Sequence, residues 1–386
     1  MKSRLLYAAL GALALTTPVT AQTNPTVYGS VVFGHEWEDM EAPPYGLYSM
    51  PADNGNAIKL EVRNDAIKAN GGGVYVDGMY YLVDFTRYEF EQVVTFRTFD
   101  TKNNWKLVNE QTVKSYSSAA SDLTYDPVGD KIYGCFKETA TSTQYFLGTL
   151  NPVTGFASKI ADIDEELIVL ASTRDGKLYG VGAYGMLYSV DKQTGKLTKI
   201  GQTGKSVKYS QSATFDYASG RMLWAMTPHY TNESPELCEI DLSTGKTTTL
   251  ATIPERYEFT GIYTLSPYAA DNAPQTATAF GGKYEKGALS GTVSFTAPTA
   301  TMGGSTLSGA LTYTLCVDDK AEQTATGTTT AGETVTLPKQ LSRGMHYLKV
   351  ATQNTAGRSP WAYSYFWAGT DEVEAKDAIA FEDKGR

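Results

Sequence analysis

The chain has 386 residues, with 33 Lys and Arg against 42 Asp and Glu, a formal net charge of −9, and only 3 Cys and 3 His. A chain of this length is expected to form two or three domains. Apolar residues make up 41% and charged residues 19%, which excludes a long disordered or coiled-coil chain. Because the 26 Tyr and 36 Gly favour strands and turns, we expect an all-β protein.

The first 21 residues have the pattern of a signal peptide. Lys2 and Arg4 precede an apolar run over 5–15, and small residues at 19–21 suit signal-peptidase cleavage. No other stretch approaches the roughly 20 apolar residues of a membrane helix. We therefore expect a secreted protein, extracellular or at the cell surface with the periplasm as the alternative, that does not span a membrane. Its acidic balance disfavours a nucleic-acid partner, since binding phosphates needs a basic face.

The cysteines and histidines give no support for a metal site or a cofactor. The cysteines are odd in number and widely spaced, which predicts buried free thiols. The histidines are far apart and lack zinc-ligand spacing, so we expect them at the surface or at a rim. The residues concerned are Cys135, Cys238, Cys316, His35, His229 and His346.

One hairpin recurs along the first two thirds of the chain. An apolar strand ends in Asp or Asn, the chain turns through a Gly, and a second strand returns. Clear copies lie at 147–155, 187–195 and 238–245, and looser copies surround Asn54 and Asn103. The spacing of roughly 40 to 50 residues is that of a four-stranded propeller blade.

A second hairpin alternates with the first and is incomplete only at the two ends. Residues 26–30 resemble its second strand alone, and residues 260–264 resemble its first strand alone. The strand near Ile262 is therefore expected to join the three strands of residues 26–62 and to remove two open edges. This predicts a ring of about five blades, with six as the alternative if one blade is atypical.

The repeat over residues 25–268 resembles the secreted β-propeller repeats found beside fibronectin type III modules in surface proteins of the Bacteroidetes. We therefore expect a signal peptide over 1–21 and a β-propeller over 22–268. A linker around 266–274 then leads to a segment rich in Thr, Ser, Gly and Ala.

Three segments of the C-terminal region resemble a fibronectin type III domain. They are 292–298, with Phe295 where a Trp is usual, 311–315, and 347–360, with Tyr347 at the position of the tyrosine corner. The resemblance implies a fibronectin type III or Ig-like β-sandwich over 269–370. Residues 371–386 read as an acidic, disordered tail, which in similar proteins leads to further modules.

The acidic residues of the chain allow two kinds of chemistry, both less favoured than binding. Five-bladed propellers include glycosidases whose carboxylates gather at the axis, and Asp122, Glu166 and Glu258 precede predicted inner strands. Acidic clusters at 162–166 and 36–41 could hold calcium, but neither follows a known loop pattern. Solvated loop acids explain both observations, so we predict no catalytic and no metal-binding residues. A glycoside hydrolase is the weakest alternative.

Aromatic loops on one face of the propeller are the strongest functional signal. Loops joining the second and third strands of a blade emerge on the same side as loops joining successive blades, and many carry rings suited to stacking on sugars or anchoring a protein. We therefore predict a non-catalytic binding or adhesion module for a glycan or an extracellular protein, with a structural spacer as the alternative. The predicted contact residues are Trp37, Tyr45, Tyr88, Phe90, Tyr116, Tyr184, Tyr209, Tyr230 and Tyr257.

Overall fold

The computed structural model describes residues 24–32, 42–85, 93–113, 118–138, 143–207, 211–229 and 233–371. Apart from short 3-10 turns, such as Ala321–Gln323, every regular element in these ranges is a β-strand, so the all-β prediction is confirmed. Among the described residues there is no helix with the length and apolar character needed to cross a membrane.

The N-terminal region contains twenty strands. In chain order they are β1 (Thr26–Val32), β2 (Gly46–Pro51), β3 (Lys59–Arg63), β4 (Gly73–Val76), β5 (Met79–Phe85), β6 (Val94–Asp100), β7 (Lys106–Val113), β8 (Ala120–Asp126), β9 (Lys131–Lys137), β10 (Tyr145–Leu150), β11 (Ala157–Ile163), β12 (Leu167–Ser172), β13 (Leu178–Gly182), β14 (Met186–Val190), β15 (Leu197–Gln202), β16 (Ser212–Asp216), β17 (Arg221–Met226), β18 (Glu236–Ile240), β19 (Thr247–Thr252) and β20 (Glu258–Tyr263).

These strands form five four-stranded antiparallel sheets in a propeller-like arrangement. Sheet 1 has the order β20-β1-β2-β3, and sheets 2 to 5 are β4 to β7, β8 to β11, β12 to β15 and β16 to β19. The first strand of each sheet contacts the next around a common centre: β4 meets β8, then β12, β16, β20 and again β4. We call these five the inner strands.

The strand around Ile262 is β20, and it lies beside β1 although more than 220 residues separate them in the chain. Tyr28 is paired with Tyr263 and Val32 with Glu258, with one register shift between these pairs. All six residues of β20 are buried, whereas the outermost strand β3 alternates between exposed and half-buried positions. Sheet 1 is therefore built from both ends of the N-terminal region.

The recurring Asp or Asn followed by Gly forms the same turn in each clear copy of the hairpin. The side-chain oxygen of the Asp or Asn accepts a hydrogen bond of 2.8 Å from the backbone N–H two residues later. The glycine four residues later has a φ of 69° to 79°, a conformation that side chains disfavour. The pairs are Asn151 with Gly155, Asp191 with Gly195, and Asp241 with Gly245.

The C-terminal region packs two sheets face to face. Its strands are β21 (Thr278–Lys283), β22 (Ser290–Thr296), β23 (Ala310–Val317), β24 (Ala325–Thr330), β25 (Thr334–Gln340), β26 (Gly344–Asn354), β27 (Gly357–Arg358) and β28 (Ala362–Ala368). One sheet has the order β21-β22-β25, and the other has β24-β23-β26 with β27 and β28 also paired to β26. We call this region the sandwich. Phe295 is fully buried between the sheets, with its ring edge-on to Tyr313 at 5.2 Å.

Strand β26 is buried on both of its faces. Leu348 and Val350 point into the sandwich core, while Tyr347 and Ala351 join an apolar cluster that includes residues of sheets 2 and 3. Strand β28 alternates in the same way. Tyr347, expected at the position of a tyrosine corner, has its ring in the contact between the sandwich and the five-sheet ring.

Candidate functional site

The topology places two kinds of loop on one face of the ring, which we call the loop face. They are the connections between the second and third strands of each sheet and the connections between successive sheets. Tyr45 precedes β2, Tyr184 lies between β13 and β14, and Tyr257 precedes β20, so all three belong to these connections. The other six predicted contact residues lie outside the described residues: Trp37, Tyr88, Phe90, Tyr116, Tyr209 and Tyr230.

The three described tyrosines differ in how far they are available to a ligand. Tyr184 is 84% exposed and Tyr45 is 41% exposed. Tyr257 is half-buried, with its ring edge-on to Tyr48 at 5.7 Å. Tyr184 is therefore the best placed of the three to contact a partner, and Tyr257 contributes mainly to packing.

The turn that presents Tyr184 is held by hydrogen bonds of its backbone, one within the turn and two from Thr203. Gly185 has a φ of 74°, and its N–H donates to the carbonyl of Gly182 at 2.9 Å. The Gly185 carbonyl accepts two hydrogen bonds from Thr203, from its N–H at 2.9 Å and from its hydroxyl at 2.8 Å. Since Thr203 belongs to the connection between sheets 4 and 5, two loops of the face are joined at this point.

Asp122 does not lie in a solvated loop, as the sequence suggested, but within β8 at the centre of the ring. It is fully buried, and one carboxyl oxygen accepts the N–H groups of Leu170 and Ala213, both at 3.1 Å. The other oxygen is 2.9 Å from the Ser212 hydroxyl. Burial raises the pKa of Asp122 to about 8, against the effect of these donors. The carboxyl connects three inner strands, which is a structural role.

The two other candidate acids have different surroundings. Glu258 lies within β20 and is 1% exposed, so it too is placed in the interior and not in a loop. Glu166 is half-buried before β12 and accepts a hydrogen bond of 3.2 Å from the Ser121 hydroxyl.

The acids of 162–166 do not point to one centre. Asp162 pairs with Lys159 at 2.6 Å, and Glu165 accepts the Tyr188 hydroxyl. Within the part of the chain that the structure describes, no three His, Cys, Asp or Glu side chains are placed to hold a metal ion. The second acidic cluster, 36–41, lies outside the described residues.

The three cysteines are free and buried, as predicted. Burial raises the pKa of Cys135 and of Cys238 to about 12, so neither is a reactive thiolate at neutral pH. His346 corrects the expectation of surface histidines, since it is 2% exposed and its ring nitrogens lie 2.8 Å from the Asp318 carboxylate and from the Ser342 carbonyl. His229 is exposed, and His35 is outside the described residues.

The linker and the sandwich pack on the face of the ring opposite the loop face. Asp77, in the turn between β4 and β5, accepts hydrogen bonds from the Tyr268 hydroxyl and from the backbone N–H of Trp361, both at 2.7 Å. The Tyr365 hydroxyl donates to the Pro152 carbonyl at 2.9 Å, so a second turn of this face is also bonded to the sandwich. The contact joins residues far apart in the chain and includes a shared apolar cluster.

A cleft of about 380 Å³ opens between sheets 2 and 3 and the sandwich. Lys349 of β26 lies in its wall and contacts the carboxylates of Asp130 and Asp319. Burial opposes the charge on Lys349, but these two carboxylates outweigh it and raise the pKa of the ammonium group. Four tyrosines complete this wall: Tyr81, Tyr125, Tyr347 and Tyr363.

The residues of this cleft were not predicted, although the sequence contains a signal for them. In β26 and β28 the positions that would face water in a free sandwich include Tyr347, Lys349, Tyr363 and Tyr365. An exposed sheet face is normally more polar than this, so the aromatic residues on both faces indicate a second packing surface.

No protein-family model and no curated protein sequence matches the chain. Among solved structures, it is similar to BamB from Moraxella catarrhalis, at 11% identity over 76% of this chain and 85% of that chain, with a TM-score of 0.27. It is also similar to an alpha-L-arabinofuranosidase of Podospora anserina in complex with cellotriose, at 10% identity over 61% and 86% of the two chains, with a TM-score of 0.34.

A third similar structure is the allergen Mala s 1 of Malassezia sympodialis, at 10% identity over 67% of this chain and 78% of that chain, with a TM-score of 0.29. At such identities and scores, none of these likenesses transfers a function. The class of protein is therefore defined by the chain's own geometry, as an all-β, propeller-like ring with a sandwich packed on one face.

Proposed function

We propose that the chain is a non-catalytic extracellular binding or adhesion module that recognises a glycan or a protein through its loop face. The supporting observation is the asymmetry of the ring. One face is bonded to the linker and the sandwich through Asp77 and Pro152, while the opposite face presents Tyr184 at 84% exposure. Exposed aromatic side chains offer a large contact area at a small cost in side-chain entropy.

The proposal includes a finer description of the fold and the location. The five sheets are a five-bladed β-propeller in which β20 completes the first blade, and the sandwich is a fibronectin type III-like domain. The module is secreted after removal of residues 1–21. Pairing of β20 with β1 supports the first part, because it joins the two ends of the repeat region in one sheet.

A rigid ring suits recognition because loops that are already ordered lose little conformational entropy when they bind. The Tyr184 turn fits this requirement, since Thr203 holds it from the neighbouring connection. The sandwich, packed on the opposite face, would then support the ring while the loop face contacts the partner. Catalysis has less support, since Asp122 is fully buried and its oxygens are engaged by the inner strands.

The test is binding of the purified chain, residues 22–386, to arrays of glycans and extracellular proteins. Tyr184→Ala is expected to weaken a genuine interaction by about tenfold, as the loss of an exposed aromatic contact does. Phe156→Ala is the matched control, because Phe156 is 52% exposed but lies in a turn of the opposite face. Both variants should keep the melting temperature of the wild type.

Three outcomes would contradict the proposal. If the folded wild type binds nothing on either array, the spacer role is the better explanation. If it binds a partner and both variants bind equally well, recognition lies elsewhere on the molecule. Hydrolysis of a bound glycan by the wild type would make the chain an enzyme.

A further inference from the structure

The cleft between the ring and the sandwich is a second candidate site, on the side of the molecule away from the loop face. It is bounded by the turn between β8 and β9, the ends of β10 and β11, and strands β26 and β28. Its volume of about 380 Å³ lies within the range of small-molecule sites, about 300 to 1,000 Å³. It is also lined by both regions of the chain, as many ligand sites are.

Aromatic rings and hydroxyl groups line the inner wall of the cleft. Burial raises the pKa of Tyr81, Tyr347 and Tyr363 well above the usual range, so their hydroxyls stay protonated. Tyr125 donates its hydroxyl to Asp130 at 2.8 Å. This wall therefore combines apolar ring surface with hydrogen-bonding groups that stay neutral over the physiological pH range.

The charged groups of the wall are paired with one another. Lys349 contacts one oxygen of Asp130 and one of Asp319, and its side chain is only 10% exposed. Asp319 is the most accessible of the three, with 37% of its side chain exposed. Because a carboxylate has about four lone-pair positions, each Asp can accept further hydrogen bonds from a ligand.

We propose that this cleft binds a neutral sugar of one or two rings. Ring hydroxyls would donate to the Asp130 and Asp319 carboxylates, and the apolar face of the sugar would lie against the small part of the rings that Tyr125 and Tyr363, each 6% exposed, present to the cleft. An anionic ligand is disfavoured because Lys349 is already engaged by two carboxylates. A small organic cation is disfavoured for the complementary reason, since it would have to compete with Lys349 for the same oxygens.

The experiment uses the purified chain, residues 22–386, and ligand-observed NMR. The probes are glucose, galactose, mannose, lactose, maltose and cellobiose, each at millimolar concentration. Two variants test the location. Ser158→Trp places a large ring at the rim of the cleft from an exposed position of β11, and Asp319→Asn removes one carboxylate while Lys349 keeps Asp130.

The matched control is Asp175→Asn, which makes the same chemical change at an exposed ion pair with Lys177, on a turn outside the cleft. We expect at least one sugar to bind the wild type and Asp175→Asn equally. Asp319→Asn should weaken this binding by about tenfold, the loss of one charge-assisted hydrogen bond. Ser158→Trp should abolish it.

Absence of binding by every probe to the folded wild type would overturn the proposal. So would a sugar whose binding is unchanged in both Ser158→Trp and Asp319→Asn. Binding that is lost in Tyr184→Ala and kept in the two cleft variants would place the sugar on the loop face, which would support the proposed function and reject the cleft as the site. The two proposals can therefore fail separately.

Discussion

At the scale of single residues, one buried carboxyl group connects most of the inner strands. Asp122 accepts hydrogen bonds from Leu170 of β12 and from Ala213 and Ser212 of β16. The Ser212 hydroxyl oxygen in turn accepts the Ile262 N–H of β20 at 3.1 Å. Four of the five inner strands thus meet in one hydrogen-bond network. Without the Asp122 carboxyl, the N–H groups of Leu170 and Ala213 and the Ser212 hydroxyl would be buried donors that lack this acceptor.

We expect Asp122→Ala to lower the free energy of unfolding by about 3 kcal/mol, because it leaves several buried donors without an acceptor. Asp122→Asn keeps an acceptor oxygen for the two backbone N–H groups and gives Ser212 a donor, so its cost should be much smaller. Urea denaturation of both variants measures the difference. Equal destabilisation by Ala and Asn would show that the hydrogen bonds of Asp122 do not stabilise the ring.

At the scale of elements, the contact between β20 and β1 depends on a tyrosine from the next sheet. The Tyr80 hydroxyl donates to the Gly261 carbonyl at 2.8 Å and accepts the Ser30 N–H at 3.2 Å. Gly261 has a φ of 56°, and a Cβ added there would lie 2.8 Å from this hydroxyl oxygen and 2.9 Å from the Cα of Gly73. The glycine is therefore required by both its conformation and its neighbours.

Gly261→Ala is expected to lower the free energy of unfolding by about 3 kcal/mol, because the strain of a positive φ and the strain of the two close contacts are added together. Gly220→Ala isolates the first effect, since Gly220 has a φ of 73° but nothing lies within 4 Å of an added Cβ. Its expected cost is about 1 kcal/mol. Melting temperatures of the two variants test this order, and an equal loss in both would contradict the importance of the close packing at Gly261.

The sequence contained enough information for the sheets but not for their contact with the sandwich. The Asp or Asn to Gly turns are local, so their chemistry can be read from a few residues, as at Asn151 and Gly155. The pairing of β20 with β1 could also be predicted, because each end of the repeat lacks the half-hairpin that the other supplies. The ion pair of Lys349 with Asp130 spans 219 residues, and no local pattern indicates such a partner.

In the candidate site, too, the features set by local sequence could be predicted and those set by distant neighbours could not. That Tyr45, Tyr184 and Tyr257 share one face could be predicted from strand order alone. Their exposure could not, because it depends on neighbours such as Tyr48, which packs against Tyr257. The repeat pattern predicts that the inner strand begins after Asp122, whereas β8 begins at Ala120, so Asp122 lies inside the strand. Alternate side chains of a strand point to opposite faces, so the register decides whether such a carboxyl is solvated or buried.

At the scale of the whole molecule, the ring and the sandwich share one apolar cluster and several polar contacts. Tyr81 of the ring and Tyr363 of the sandwich both belong to the cluster. The Arg358 guanidinium donates to the Pro127 carbonyl at 3.1 Å and lies 4.5 Å from the centre of the Trp361 ring. We therefore expect the ring and the sandwich to unfold as one cooperative unit. Rigid display of the loop face requires such a unit.

Asp77 gives this interface a pH dependence. Burial raises the pKa of its carboxyl to about 6, although the Tyr268 hydroxyl and the backbone N–H of Trp361 donate hydrogen bonds to it. A carboxyl whose pKa is higher in the folded than in the unfolded state contributes its full stabilisation of the fold at a pH below the unfolded-state pKa. This stabilisation is lost as the pH rises through the folded-state pKa. Asp77→Asn keeps an acceptor and tolerates the φ of 51°, so it serves as a reference that does not titrate.

The most direct test of the account is differential scanning calorimetry of residues 22–386 and of the Asp77→Asn variant between about pH 4 and about pH 7. We predict a single cooperative transition for both proteins. The melting temperature of the wild type should fall relative to that of the variant as the pH rises, and the whole transition should move. Two separate transitions, with the effect of Asp77 confined to one of them, would show that the sandwich is not part of one rigid unit with the ring.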